Sequence, residues 1–292
     1  MTMATLIAAG RLDERLLDAA LDRLAGARLS RWIEPGSAAD LDLELDPDTP
    51  PAAFRAAYEG WEGVDIISHA PGAREKRLLV ADMDSTMIGQ ECIDELADYA
   101  GIKPHIAAIT ERAMQGELDF AAALRERVAL LGGLEENAIA RCLAERIRPN
   151  PGAATLVGTM RARGAMTLLV SGGFTAFAAP VAAMLGFERI EANVLEASDG
   201  LLSGSVSGRI VDAAHKARAL VTTRDALGLA PADTLAIGDG ANDMAMIEAA
   251  GLGIAFRAKP ALAAVADARL DHHGLDALLW AQGIPRAEWV EG

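Results

Sequence analysis

RLLVADMDSTMIG, residues 77–89, sets four apolar residues, Leu78 to Ala81, directly against two aspartates, Asp82 and Asp84. The apolar run reads as a buried strand. Residues at i and i+2 leaving a strand point to the same side, so the two carboxylates gather at its carboxyl end. Two carboxylates held close do not both ionise comfortably unless a cation is near. A hard cation such as Mg²⁺, which prefers oxygen ligands, relieves the repulsion. Alternatively, one carboxyl stays protonated as a general acid. Both conditions can hold together, with Asp82 a nucleophile toward phosphorus and Asp84 the proton donor and acceptor. Taken alone, the same residues also read as a solvated turn with a helix cap.

Further apolar runs extend the pattern. Strand candidates at 166–171, 234–239, 252–256 and 268–271 alternate with helical periodicity. Strands alternating with helices mean a parallel sheet covered on both faces, a Rossmann-like α/β fold. The helical stretch at about 91–148 is too long for one crossover helix and reads as an inserted helical cap. Residues 191–211 read as a hairpin around Asp199-Gly200. The Ala-rich stretch 176–186 reads as a core helix broken by Pro180 and stopped at Gly186.

In open parallel sheets, ligands bind beyond the carboxyl ends of the strands. The second such end carries Ser171, Gly172 and Gly173 before a helix. Main-chain N–H groups at a helix start bind phosphate, and glycine lets its oxygens approach. Ser-Gly-Gly is also common in plain turns. The third end, Gly238-Asp239-Gly240-Ala241-Asn242-Asp243, offers carboxylate and amide oxygens for Mg²⁺, or simply caps the next helix. Lys216 follows the hairpin, where a lysine is either a surface charge or a counter-charge for phosphate.

In this order, strand-DxDxT, strand-SGG, lysine, strand-GDGxND, residues 78–275 resemble the haloacid dehalogenase-like (HAD) phosphohydrolase superfamily. The resemblance implies Asp82 as nucleophile and Asp84 as acid/base. It implies Ser171, Gly172 and Lys216 on the phosphoryl group. It places Mg²⁺ at Asp82, Asp84 (through its main-chain carbonyl) and Asp239, with Asp243 supporting the metal. DSTMIGQECIDELADYAG and ITERAMQGELDFAAALRERVALLGG are similar to the phosphoserine phosphatases of that superfamily. The positions matching that family's amino-acid-binding residues are Glu91 and Arg127, with Met114 and Phe120 at cap positions that pack around the substrate (on spacing alone they read as ordinary helical core) and Asn242 at one that meets the substrate or phosphate. The ammonium of phosphoserine calls for a carboxylate, and its carboxylate calls for a guanidinium. The implied activity is Mg²⁺-dependent hydrolysis of phosphoserine through an aspartyl-phosphate, the last step of serine synthesis. Met83 departs from the phenylalanine many relatives carry. Rival readings are a phosphatase or phosphotransferase for another small molecule, or a serine-binding module with a silent enzyme domain.

Residues 1–72 read as a separate α+β unit of β-α-β-β-α-β order, its second helix in 50–60, with a catalytic unit over 77–292. That strand order is similar to ACT-type amino-acid-binding modules, an analogy of fold alone. The formal charge, 27 − 42 = −15, argues against a nucleic acid or an anionic membrane as partner. The expected partners are a small-molecule substrate and, as a candidate, a second copy of the chain. Two isolated cysteines, Cys92 and Cys142, make no disulfide framework, and the first residues lack a secretory pattern. A cytoplasmic setting is expected. His272 and His273, as neighbours on a strand, would face opposite ways, and His215 and Cys92 read as bystanders. Trp61, Trp280 and Trp289 read as packing anchors.

Overall fold

The computed structural model describes residues 2–23, 26–44, 58, 60–69, 74–114 and 117–291. Its first element is β1 (Thr2–Leu12), followed by helix α1 (Glu14–Asp22), β2 (Arg28–Glu34), β3 (Gly36–Leu43) and β4 (Asp65–His69). Asp13 starts α1 by accepting from the Leu16 N–H at 2.8 Å, as an N-cap aspartate does. Leu17 and Ala20 of α1 are buried and pack in one cluster with Leu6, Leu41 and Ile66 of the strands. The strands form an antiparallel sheet in the order β2-β3-β1-β4, which fits an ACT-like unit. The helix expected in 50–60 lies outside the described residues.

The larger unit contains β5 (Leu78–Ala81), β6 (Met166–Phe174), β7 (Arg189–Ser198), β8 (Leu201–Ser207), β9 (Thr234–Gly238), β10 (Leu252–Phe256) and β11 (Ala268–Leu270). They form one sheet in the order β11-β10-β9-β5-β6-β7-β8. All its pairs are parallel except β7–β8. Leu79, Ala81, Leu169 and Ile237 enter one apolar cluster, while Leu78, Val80, Leu168 and Ala236 enter another. Alternate residues thus bury on opposite faces, as a sheet covered on both sides requires. The first strand is at its centre, between β9 and β6, so Asp82 emerges amid the other candidate loops. The β7–β8 turn has positive φ at both Asp199 (54°) and Gly200 (76°), which is the hairpin signature expected there.

Between β5 and β6 the described residues place the helices of the inserted cap, α2 (Cys92–Tyr99), α3 (Lys103–Met114), α4 (Phe120–Ala129) and α5 (Asn137–Glu145), and then α6 (Ala153–Ala162). The cap is tied to the hairpin by main-chain bonds. Gly133 N–H donates to Leu202 O at 2.8 Å, Leu202 N–H to Leu134 O at 2.8 Å, and Glu136 N–H to Gly200 O at 2.9 Å.

Pro180 does not break its helix. α7 (Thr175–Leu185) runs through it and ends at Gly186, whose N–H donates to Ala182 O at 2.8 Å. Proline removes one helical donor. The buried face of Phe177, Ala178, Val181 and Leu185 holds the helix on both sides of that gap. The remaining helices are α8 (Ala213–Ala226), α9 (Met244–Ala249), α10 (Pro260–Val265) and α11 (Ala277–Ala281).

The two sheets are fastened through Asp65 of β4. Its carboxylate accepts from the N–H groups of Asp271 (2.9 Å), His272 (3.1 Å) and His273 (3.1 Å), and pairs with His273 Nδ1 at 2.7 Å. The other ring nitrogen of His273 accepts from Ala9 N–H at 3.0 Å, so Nδ1 is the one that donates. The two histidines are therefore not on a strand: β11 ends at Leu270, and Asp65 draws the following loop into a turn. Trp280 and Trp289 pack with ring centroids 5.0 Å apart. Among the described residues no helix is long and apolar enough to cross a membrane.

Candidate active site

Three strand ends deliver their polar residues to one place. Asp82 follows β5, and its Oδ1 accepts from Met83 N–H at 2.7 Å. The same oxygen lies 2.8 Å from the Lys216 ammonium. Lys216 stands in the first turn of α8, where Asp212 caps the helix by accepting from His215 N–H at 2.7 Å. Its Nζ also donates to Asp243 Oδ1 at 2.8 Å, and its side chain is 1% exposed. The other oxygen of Asp243 accepts from the N–H groups of Asp239 and Gly240, each at 3.2 Å. Residue 238 must be glycine for this to form, because a Cβ there would come within 2.5 Å of Asp243 Cγ.

Asp82, Asp239 and Asp243 each offer a carboxylate oxygen, all within 4.8 Å of one another. Thr86 Oγ1 reaches Asp239 Oδ1 at 3.5 Å. The carboxylate of Asp84 is not part of that trio. It points toward the second strand end instead. A Cβ on Gly173 would sit 2.9 Å from Asp84 Oδ2, so the glycine is what lets the acid approach the Ser-Gly-Gly turn. There Ser171 Oγ accepts from Gly173 N–H at 2.8 Å.

The cap supplies the outer wall. Ser85 takes a left-handed φ of 54°, which turns its hydroxyl to donate to Glu91 Oε1 at 2.7 Å. Glu91 immediately precedes α2, whose first N–H, from Cys92, donates to Asp84 Oδ1 at 3.2 Å. Arg127 of α4 is half-buried, its Nε donates to Ala123 O at 3.3 Å, and its charge acts on Asp94, Glu91 and Asp84. Phe120 Cζ stands 3.0 Å from where a Cβ on Gly172 would be, so the cap face reaches the glycine turn. Asn242 folds over Gly240, its Oδ1 2.6 Å from the corresponding Cβ position. The side chain of Met114 lies outside the described residues. Met114 apart, the residues singled out in the sequence stand on the strand ends and cap segments that meet here.

The electrostatics explain why two aspartates stand at a strand mouth. Burial and the neighbouring Asp243 push the Asp82 carboxyl well above the usual range, against the pull of Lys216. Burial, then the charge of Glu91, raises Asp84 to about 7. Burial, then Asp243, raises Asp239 to about 6. Burial works to lower the Lys216 ammonium, but Asp82 and Asp243 more than offset this and hold it above its ordinary value. Four carboxylates thus gather around the buried Lys216 ammonium, with the exposed Lys259 Nζ 3.9 Å from Asp239 Oδ2, and negative charge is in excess. The donors are all hard oxygens, so the cluster fits a divalent cation such as Mg²⁺.

Other residues shape the site without any signal in the sequence. Asn193 of β7 donates to Gly172 O at 2.8 Å and accepts from Val211 N–H at 2.9 Å, joining the Ser-Gly-Gly turn to the segment before Lys216. His215 Nε2 pairs with Glu191 Oε2 at 2.6 Å, so it braces the start of α8 rather than standing by. Cys92 is buried as expected, and burial pushes its thiol up, while its N–H holds Asp84. Their partners are main-chain groups or residues remote in sequence, which no local pattern announces.

Residues 79–248 match the family described as haloacid dehalogenase-like hydrolase. The chain belongs to that family. Within it, it belongs with the phosphoserine phosphatases. It is 43% identical over 265 residues to Phosphoserine phosphatase SerB2 of Mycobacterium tuberculosis, covering 91% of this chain and 63% of that one. It is 46% identical over 224 residues to Phosphoserine phosphatase of Albidiferax ferrireducens, covering 74% of this chain and 94% of that one. The chain thus spans less than two thirds of the mycobacterial relative and nearly all of the other. Among solved structures, it is similar to the probable phosphoserine phosphatase from Vibrio cholerae, with a TM-score of 0.79 and 29% identity over 98% of this chain and 88% of that one.

Proposed function

We propose that this chain hydrolyses O-phospho-L-serine to L-serine and phosphate, with Mg²⁺ as cofactor and Asp82 as covalent carrier. The observation that carries the reading is the position of Asp84: its Oδ1 accepts from the N–H of Cys92, next to Glu91, at 3.2 Å, and its Oδ2 lies 2.9 Å from where a Cβ on Gly173 would be. An acid so placed meets both the loop that carries a carboxylate suited to an ammonium and the glycine turn suited to a phosphate.

Both contacts of Asp82 with Met83 and Lys216 use Oδ1, so Oδ2 attacks phosphorus. The bond from phosphorus to the serine oxygen breaks as the new one forms, and Asp84 gives that oxygen its proton. Serine leaves, and Asp84 takes a proton from water as the water oxygen attacks phosphorus. The bond to Asp82 breaks and phosphate is released. Lys216, Ser171 and the Gly172 amide stabilise the charge on the transferring group, with Asn242 beside it. Glu91 receives the substrate ammonium and Arg127 its carboxylate. Asp82, the Asp84 carbonyl and Asp239 would hold Mg²⁺, with Asp243 supporting them. A bound Mg²⁺ supplies the positive charge that lets an anionic phosphate enter this acidic cleft.

The same reading assigns catalysis to residues 77–292 and a separate unit to 1–72, and sets the reaction in the cytoplasm as the last step of serine synthesis. The test is phosphate release from L-phosphoserine with and without Mg²⁺, beside a panel of other phosphomonoesters. A metal-dependent preference for phosphoserine is expected. Metal-dependent activity directed at other esters would overturn the substrate assignment and leave the aspartate chemistry standing.

A further inference from the structure

The chain enters the cap through residues 86–91 and leaves it through 147–150, and the two passages are bonded together. Gly89 N–H donates to Arg148 O at 3.1 Å, and Asn150 N–H to Met87 O at 2.9 Å. Arg148 N–H donates to Gln90 Oε1 at 2.8 Å. The side chain of Asn150 adds two bonds, from Nδ2 to Thr86 O at 2.8 Å and to Ile88 O at 3.1 Å. Thr86 and Ile88 are buried, so their carbonyls have poor access to water if Asn150 is removed.

The loop that Asn150 grips joins the two groups that define the cleft. It starts at Asp84 and ends at Glu91. Inside it, Ser85 N–H donates to Gln90 O at 3.2 Å and Ile88 N–H to Met83 O at 3.1 Å. The Ser85 hydroxyl holds the Glu91 carboxylate. These inner bonds fold the loop on itself, and Asn150 is the side chain that fixes the folded loop to the start of α6, where Ala153 N–H donates back to Asn150 O at 3.1 Å.

We propose that Asn150 is a positioning residue for amino-group recognition, holding the Asp84–Glu91 loop so that the Glu91 carboxylate keeps its place relative to Asp84. This rests on the reading of Glu91 as the partner of the substrate ammonium. Asn150 grips the loop at Thr86 and Ile88, between Asp84 and Glu91, and its loss is expected to act more on the amino end of the ligand than on the phosphoryl end.

Asn150→Ala should raise KM for L-phosphoserine about tenfold, the scale of one lost charged hydrogen bond. The inhibition constant of inorganic phosphate, which has no ammonium, should stay within about twofold of wild type, since its contacts are untouched. In a Glu91→Gln background, Asn150→Ala should add little, because the two changes remove the same interaction. Gln90→Ala, at a half-buried side chain that loses only its bond to Arg148, should move the same quantities in the same direction by less. It carries the test if Asn150→Ala does not fold. Equal weakening of phosphoserine and phosphate, or additivity with Glu91→Gln, overturns the inference alone. A phosphoserine KM that does not respond to Glu91→Gln overturns the inference together with the reading beneath it.

Discussion

Asp40 in the N-terminal sheet and Asp82 at the mouth of the central strand are both buried carboxylates beside a cation, yet their acidities move in opposite directions. Asp40 is fully buried on β3. It accepts from Arg74 through both terminal guanidinium nitrogens, from Arg31 Nε at 2.9 Å and from Thr5 Oγ1 at 3.0 Å. Burial works to raise its pKa, but the hydrogen bonds from Arg74 and Arg31 win and hold it below the ordinary value. Asp82 has one ammonium, Lys216, which it shares with Asp243, and its pKa rises. The first cluster is balanced within itself. The second is balanced only when a ligand brings positive charge. Burial of a charge alone therefore says little about function; the direction in which its acidity moves separates a structural pair from a chemical one.

Substituting each aspartate tests that separation most severely. Asp82→Asn should lower kcat by about a thousandfold or more. Its melting temperature should hold or rise, because the change relieves repulsion among carboxylates. Asp40→Asn should do the reverse. It leaves a buried pair broken, for a loss of about 3–5 kcal/mol of stability, while kcat in the surviving folded enzyme stays near wild type. Thermal unfolding and phosphate release on the two variants check both halves. If Asp82→Asn destabilises as much as Asp40→Asn, the contrast between the clusters collapses.

The acidic part of the candidate site was legible in the sequence because its loops follow apolar runs. LLVA before Asp82, LLVS before Gly172 and LAIG before Asp239 are continuous patterns that place loops at one sheet edge. Asp40 had no such flag. It lies within ADLDL, where an aspartate on a strand looks like a solvent-facing residue, and its main cation, Arg74, is 34 residues away. Arg74 also donates to Ala281 O at 2.9 Å and Trp280 O at 3.2 Å, so the arginine that neutralises the N-terminal sheet also fastens it to the catalytic unit. The same limit hid Asn150 and Asn193, whose side chains meet main-chain carbonyls remote in sequence. Pro180 misled for a different reason: local propensity predicted a break, and burial of the helix on both sides overrode it. The order of the large sheet was readable in outline, because alternating strands and helices leave few choices.

Metal and pH sharpen the comparison at a smaller scale. Asp84 and Asp239 have folded pKa values raised to about 7 and about 6 from the ordinary 3.8. Between about pH 4 and pH 7 the folded protein without metal therefore binds more protons than the unfolded chain, and its stability falls as pH rises through that window. A divalent cation offsets the carboxylate charge and stabilises the folded state by mass action, by about 2–3 kcal/mol at a hundredfold excess over Kd. The rise in melting temperature produced by Mg²⁺ over a chelator should thus grow from about pH 5 to about pH 8. Calorimetric scans in Mg²⁺ and in EDTA across that range measure it. A metal increment independent of pH would mean that these carboxyls are not the groups the cation relieves.

The N-terminal cluster should show the opposite slope through His69, with the smallest effect. His69 closes β4, and its Nε2 pairs with Thr5 Oγ1 at 2.9 Å. Burial, then the charge of Arg74, lowers its pKa from 6.5 to about 4, and Lys76 adds to this while Asp40 opposes it. The unfolded chain therefore binds more protons between about pH 4 and pH 6.5, so the stability His69 protects is present above that window and is lost as pH falls through it. The loss between about pH 7 and about pH 5.5 amounts to roughly 1 kcal/mol. His69→Gln keeps a polar partner for Thr5 and removes the titration. Measured in EDTA, wild type should lose ground to His69→Gln as the solution is acidified, while Asp84 and Asp239 contribute the opposite slope equally to both proteins and cancel from the difference. A difference that stays flat with pH would mean that burial and Arg74 do not hold His69 neutral, and the two clusters would no longer be told apart by their response to acid.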